Sequence, residues 1–153
     1  MKPLFVLLGV WCISTLITKF INGSVNFNLS ARIAMCAMLI FTAIAHFVFT
    51  PGMAMMLPRF IPYKSELVYL TGVMEIVLGV SLLVKSWSYY SGWVLIAFFI
   101  ILLPANISAS IRHIDYQNAT TDGMGPGYLW FRIPLQLFFI SWVYLSCIYN
   151  QKI

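Results

Sequence analysis

The chain has 153 residues, room for one ordinary domain, and 61% of them are hydrophobic against only 8% charged. A soluble domain carries roughly 25% charged residues, so at a mean hydropathy of +0.92 the polar surface cannot cover a water-soluble globule. Disorder, which needs low hydrophobicity and high charge, is excluded as well. Nine Lys+Arg against four Asp+Glu give +5. The basic residues stand singly at the ends of apolar runs, as interfacial anchors do, which excludes a nucleic-acid binder with its clustered basic patch. The composition is that of an integral membrane protein.

In chain order, five apolar stretches are long enough to cross a hydrocarbon core, which takes about 20 helical residues. They are Leu4–Ile21, Ala31–Phe49, Leu67–Val84, Tyr90–Ile111 and Leu129–Tyr149. In lipid every backbone donor and acceptor must be satisfied within the segment, so each is expected to be an α-helix. The runs are continuous, without the alternating pattern of a membrane barrel. The first resembles a secretory signal in having Lys2 before an apolar run, but Ile21-Asn22-Gly23-Ser24-Val25 offers no small-residue cleavage site, and the expectation is a retained helix.

Among the connections, Asn22 to Ser30 is a short polar loop, Lys85 to Ser88 a tight turn amid Trp87, Tyr89, Tyr90 and Trp93, and Arg112 to Gly127 a long polar loop ending in turn-forming glycines. Thr50 to Glu66 differs from these. It holds Pro51, Pro58 and Pro62 beside Met53, Met55, Met56, Leu57, Phe60 and Ile61. Too broken to span and too apolar to stand in water, it is expected in the interface or folded back on the bundle. With five crossings one side receives Lys2, Arg59, Lys64, Arg112 and Arg132, the other Lys19, Arg32, Lys85 and Lys152. That balance gives no orientation.

An ionisable residue at bilayer depth costs about 2.5–3.5 kcal/mol on insertion scales, so polar residues within the spans are the best functional pointers. They are His46, Glu75, Asn106, Arg132 and Gln136. Counted from the helix ends at 1.5 Å per residue, all five fall within about 12 Å of one membrane face. The expectation is a polar ligand pocket in one leaflet, roofed by Thr50 to Glu66. Gly72, Glu75 and Gly79 share one helix face, so glycines flank the carboxylate where another helix can approach closely. The simpler alternatives are a bundle-locking Glu75–Arg132 ion pair, an Arg132 that snorkels to the headgroups, and amides that only join helices.

Other chemistries find little support. Cys12, Cys36 and Cys147 contain no Cys-x-x-Cys, which disfavours thiol redox chemistry. One intramembrane His, one Glu and a remote His113 make no metal-ligand set, so no metal is expected. There is no recognisable nucleophile–base pair, and the chain is not expected to be an enzyme on its own.

The ordered series Ala45-His46-Phe47, Met56-Leu57-Pro58, Ile61-Pro62, Tyr69 through Ile76 with Gly79, Pro104-Ala105-Asn106-Ile107 and Arg132-Ile133-Pro134-Leu135-Gln136 resembles the DoxX-like family of small membrane proteins. The likeness runs from about Ala31 to Leu145. It implies an all-α transmembrane bundle with a four-helix core over residues 31–149 and an extra N-terminal transmembrane helix over residues 1–30. It also implies a bacterial cytoplasmic (inner) membrane location and association with quinone-linked redox chemistry. The leading expectation is a membrane subunit that sits in the lipid bilayer, binds a quinone or lipid-like molecule through His46, Glu75, Asn106, Arg132 and Gln136, and supports a redox partner. The other is a scaffold or assembly factor whose polar cluster is structural.

Overall fold

The structure is a computed structural model that describes residues 2–58 and 60–149; Arg59 and Lys152, placed on opposite sides above, lie outside them. Among the described residues six α-helices follow one another: α1 (Lys2–Asn22), α2 (Phe27–Val48), α3 (Thr50–Met56), α4 (Lys64–Ser81), α5 (Ser88–Ile111) and α6 (Leu129–Val143). A single 3₁₀ turn, Pro126–Tyr128, leads into α6, and a π-helical turn, Tyr144–Ile148, continues it.

Among the described residues four helical runs are long and apolar enough to cross a membrane: Lys2–Ile21, Phe27–Val48, Ser88–Ile111 and Pro126–Ile148. The third expected span is helical, as α4, but falls outside this group because Lys64, Glu66 and Glu75 lie within its 18 residues. Large apolar side chains point outward along the helices, among them Phe5, Phe20, Leu70, Val77, Ile101 and Trp130. Such a surface is stable against lipid and not against water.

The helix boundaries follow local chemistry. The second span begins four residues earlier than expected because the Asn26 side chain accepts from the Leu29 N–H, a cap that lets the helix start at Phe27. Pro51 sits in the first turn of α3, where its missing N–H costs nothing. Pro104 and Pro134 lie inside α5 and α6, each removing one ladder hydrogen bond.

The segment from Thr50 folds back on the bundle as expected. Its helix α3 packs on α4, α5 and the end of α2. Arg112, just past α5, donates to the carbonyls of Met56 (2.6 Å) and Leu57 (3.2 Å), so a cation closes the negative end of α3. Gly52 lies against the Tyr116 backbone so closely that no Cβ fits there, and Phe49 meets the Tyr116 ring edge-on at 6.1 Å. Three contacts thus tie α3 to the Arg112–Gly127 loop.

The core lies between α2, α5 and α6, where Met35, Leu39, Leu95, Phe99, Val143 and Cys147 are almost fully buried, and α1 adds Leu7. Gly92 faces Cys147 across the α5 seam, and a Cβ there would stand 3.0 Å from the cysteine Cβ. The α1–α2 seam is more polar. Ser14 donates to the Ser30 carbonyl (3.3 Å) and Thr18 Oγ1 lies 3.4 Å from Ser30 Oγ. Thr15 Oγ1, on the same helix, is a buried polar atom with no hydrogen-bond partner among the described residues.

Candidate functional site at the α2–α4 seam

Two helices that pack antiparallel keep their residues in register when each steps by one turn in opposite directions. Along α2 and α4 this brings Gly72 to His46 and Gly79 to Leu39 and Cys36. A Cβ on Gly72 would stand 2.9 Å from His46 Cβ, and one on Gly79 3.3 Å from Leu39 Cβ. The missing side chains let the helices approach closely. Glu75, between the two glycines, is therefore pressed against α2 and 5% exposed.

Its partner there is a histidine. His46 Nε2 lies 3.5 Å from Glu75 Oε1, the one ion pair among the described residues. Thr42, one turn before His46, donates to Glu75 Oε2 at 2.8 Å. Thr71, one turn before Glu75, stands 3.1 Å from His46 Nδ1. Each helix supplies one threonine and one ionisable group, crossed so that each threonine serves the ionisable group of the other helix.

His46 Nδ1 is also 3.1 Å from the Val68 carbonyl, to which Thr71 donates at 2.9 Å. A carbonyl can only accept, so a hydrogen bond there has Nδ1 as its donor, whereas the Thr71 hydroxyl can meet Nδ1 as donor or as acceptor. A proton shared between Nε2 and the Glu75 carboxylate would leave the buried pair without net charge.

On the outer side of the same seam Phe47 and Tyr69 stack, with ring centroids 5.8 Å apart and planes at 22°. Both are exposed, and the His46 side chain, at 14%, is less enclosed than that of Glu75 at 6%.

Of the five residues expected to share one pocket, the hydrogen bonds and ion pair join His46 and Glu75 and give the other three different neighbours. Gln136 Nε2 donates to the Phe99 carbonyl at 2.9 Å, in the stretch of α5 whose ladder Pro104 interrupts. Asn106 offers its carbonyl to Ser110 Oγ at 3.1 Å. Arg132 lies over the Tyr128 ring, 5.7 Å from its centroid. No Glu75–Arg132 ion pair forms among the described residues, because the glycine face of α4 is turned to α2 while α6 packs on α5 and α2. An open groove of about 450 Å³ lies elsewhere, between α1 and α6. Leu4, Leu8, Trp130, Phe131, Pro134, Leu135 and Phe138 line it, and none of the five polar residues does. Among the described residues no group of three or more His, Cys, Asp and Glu could hold a metal ion.

Thr42 and Thr71 complete the site and were not singled out from the sequence. Their signal is the matched spacing, Thr42 four residues before His46 and Thr71 four residues before Glu75. Hydroxyls at i−4 are common in membrane helices, where they bond their own backbone, as Thr42 also does toward Met38 and Leu39.

Residues 35–147 match the model of a family described as a domain of unknown function (DUF8561), and the chain belongs to that family. No curated protein and no solved structure matches it.

Proposed function

We propose that this protein is a membrane subunit of DoxX-like type whose His46–Glu75 pair holds the polar head of a quinone or similar lipid-like molecule and which supports a redox partner in a bacterial inner membrane. In this reading α4 is a fifth crossing: its 18 residues reach about 27 Å at 1.5 Å per residue, and its acidic mid-point is neutralised by α2. The helices α2, α4, α5 and α6 then form the four-helix core, with α1 as the added helix.

The observation that carries the reading is the buried His46–Glu75 pair at the seam, with Nε2 3.5 Å from Oε1. A quinone carbonyl accepts hydrogen bonds and a quinol donates them, and a histidine–carboxylate pair with one mobile proton can meet either. The exposed Phe47–Tyr69 stack gives a flat ring an apolar surface to lie on beside His46. Lipid extraction of the purified protein followed by mass spectrometry, and titration with a short-chain quinone, test it directly. Co-purified quinone is expected, with binding weakened at least tenfold in Glu75→Gln. Absence of quinone together with identical titrations of both proteins overturns it.

A second reading is favoured by a specific observation: both carboxylate oxygens of Glu75 and both ring nitrogens of His46 already have protein partners. A saturated cluster is what a scaffold would use to fix helix register. Under that reading Glu75→Gln lowers stability in detergent and changes nothing else, so the two readings separate on the quinone titration of folded mutant.

A further inference from the structure

We propose that the start of α6 binds one acidic phospholipid, whose phosphate meets Arg132 and whose acyl chain lies in the groove between α1 and α6. Arg132 is half-buried, near the start of a helical run apolar enough to cross a membrane. Its guanidinium stands over the Tyr128 ring, 5.7 Å from the centroid. Among the described residues it makes no hydrogen bond and no ion pair, so the N–H donors of its fork are unused. A cation at the edge of hydrocarbon with its donors open is costly until an acceptor arrives.

No carboxylate among the described residues is placed to be that acceptor. Glu75 is held by His46 and Thr42. Asp115 accepts from Gln117 and Asn118, and Asp122 from Thr120, within their own loop. Glu66 is in the first turn of α4, which packs mainly on α2 and α3. The undescribed residues at this end are Met1 and Arg59, neither with an acidic side chain. Residues 150–153 follow the far end of the α6 run. Tyr149 is about 25 Å from Arg132 at 1.5 Å per helical residue. Four extended residues span at most about 14 Å, so that segment does not reach the guanidinium.

The groove fits the other half of the ligand. It holds about 450 Å³ between two helices that are both apolar enough to span, with Leu4 and Leu8 of α1 facing Phe131 and Leu135 of α6. From Trp130 to Phe138 it extends about 12 Å along the helix, within the roughly 15 Å of one leaflet. Its side chains are all apolar, so a hydrocarbon chain is stable there and a headgroup is not. Phe131 packs on Tyr128 with ring centroids 5.9 Å apart, and the guanidinium lies over that same Tyr128 ring. One aromatic ring thus separates the groove wall from the open cation. Charge and shape together select the occupant. Guanidinium takes phosphate oxygens through parallel N–H donors. A zwitterionic headgroup brings a cation of its own to compete, and free phosphate has no chain for the groove.

The full chain in nanodiscs of phosphatidylcholine and phosphatidylglycerol in equal amounts tests this. Lipid that stays bound on release into detergent is counted by native mass spectrometry. One phosphatidylglycerol per chain is expected, favoured over phosphatidylcholine by about tenfold, as one charge-assisted contact allows. Arg132→Gln gives up only a ring contact and is expected to erase the preference. Lys64→Gln removes an equal charge at the same end of the bundle and is expected to keep it; equal losses in the two mean unspecific attraction and overturn the site. Leu8→Trp fills the groove with the cation intact and is expected to lower phosphatidylglycerol retention by about tenfold. Should Arg132→Gln fail to fold, Arg132→Lys, which keeps the charge but not the planar fork, takes its place and is expected to lose most of the preference. Equal retention of both lipids by the native chain, a lipid-free dimer, or undiminished preference in the folded Arg132 variant or in Leu8→Trp overturns the proposal.

Discussion

The Thr42 hydroxyl on α2 lies 2.8 Å from Oε2 of Glu75 on α4, while one turn further along α2 the His46 ring reaches Oε1 of the same carboxylate. Two elements of one helix therefore hold a single acidic group of the next. The contribution of each is separable by substitution.

Thr42→Val keeps the shape and removes the donor. Interhelical hydrogen bonds in membranes contribute about 0.6 kcal/mol on average and at most about 1.7, and a carboxylate acceptor places this one toward the upper end. A loss of about 1–2 kcal/mol is expected in reversible unfolding by denaturing detergent. Thr42→Ser, which keeps the hydroxyl, should recover most of it.

Glycine substitutions should divide by what a new Cβ meets. Gly72→Ala drives a methyl to 2.9 Å from His46 Cβ and should destabilise by about 1–3 kcal/mol as the helices separate. Gly9, within α1, has nothing within 4 Å of such a Cβ. Gly9→Ala should therefore be neutral or gain up to about 1 kcal/mol from helix propensity. The same unfolding assay reads both.

Gly52→Ala tests the tie between α3 and the loop after α5. The added methyl has no room against the Tyr116 backbone, so α3 or the loop must move. Faster proteolysis within residues 57–63 and within residues 113–125 is expected, with the membrane helices still intact. Unchanged cleavage at both places would contradict the docking described.

Acid should loosen that loop. Asp115 accepts from the Gln117 N–H (2.9 Å) and from the Asn118 side chain (2.8 Å), and these bonds hold its carboxyl below the ordinary value of 3.8. A lowered folded-state value means the contribution is complete above the unfolded value and is lost as pH falls through the folded one. Amide protection in residues 115–120, taken relative to the intrinsic exchange rate at each pH, should therefore fall only below about pH 4. Asp115→Asn should remove that pH dependence.

Much of this arrangement is legible in the sequence, for identifiable reasons. Continuous apolar runs fix the helices, since lipid leaves the backbone no other option. Glu75 stands out because a carboxylate within an apolar helix must find a partner, and Gly72 and Gly79 show which face meets another helix. The identity of the partner was not legible. Charge complementarity alone pointed to Arg132, whereas antiparallel register, which depends on how the Phe49–Tyr63 connection folds back, delivers His46. Helix α3 was legible as a segment that returns to the bundle but not as a helix, because its cap is Arg112, 56 residues away from the Met56 carbonyl it closes. The Thr42 and Thr71 roles emerge only once the register is known.

The crossed arrangement of Thr42 with Glu75 and His46 with Thr71 has a mechanical consequence. Sliding α4 along α2 by a single residue, about 1.5 Å, would break both rungs together and bring the glycine notches against side chains. The two helices must travel as one stiff plank, and any working stroke of the protein has to be taken up at the joints with its remaining rods.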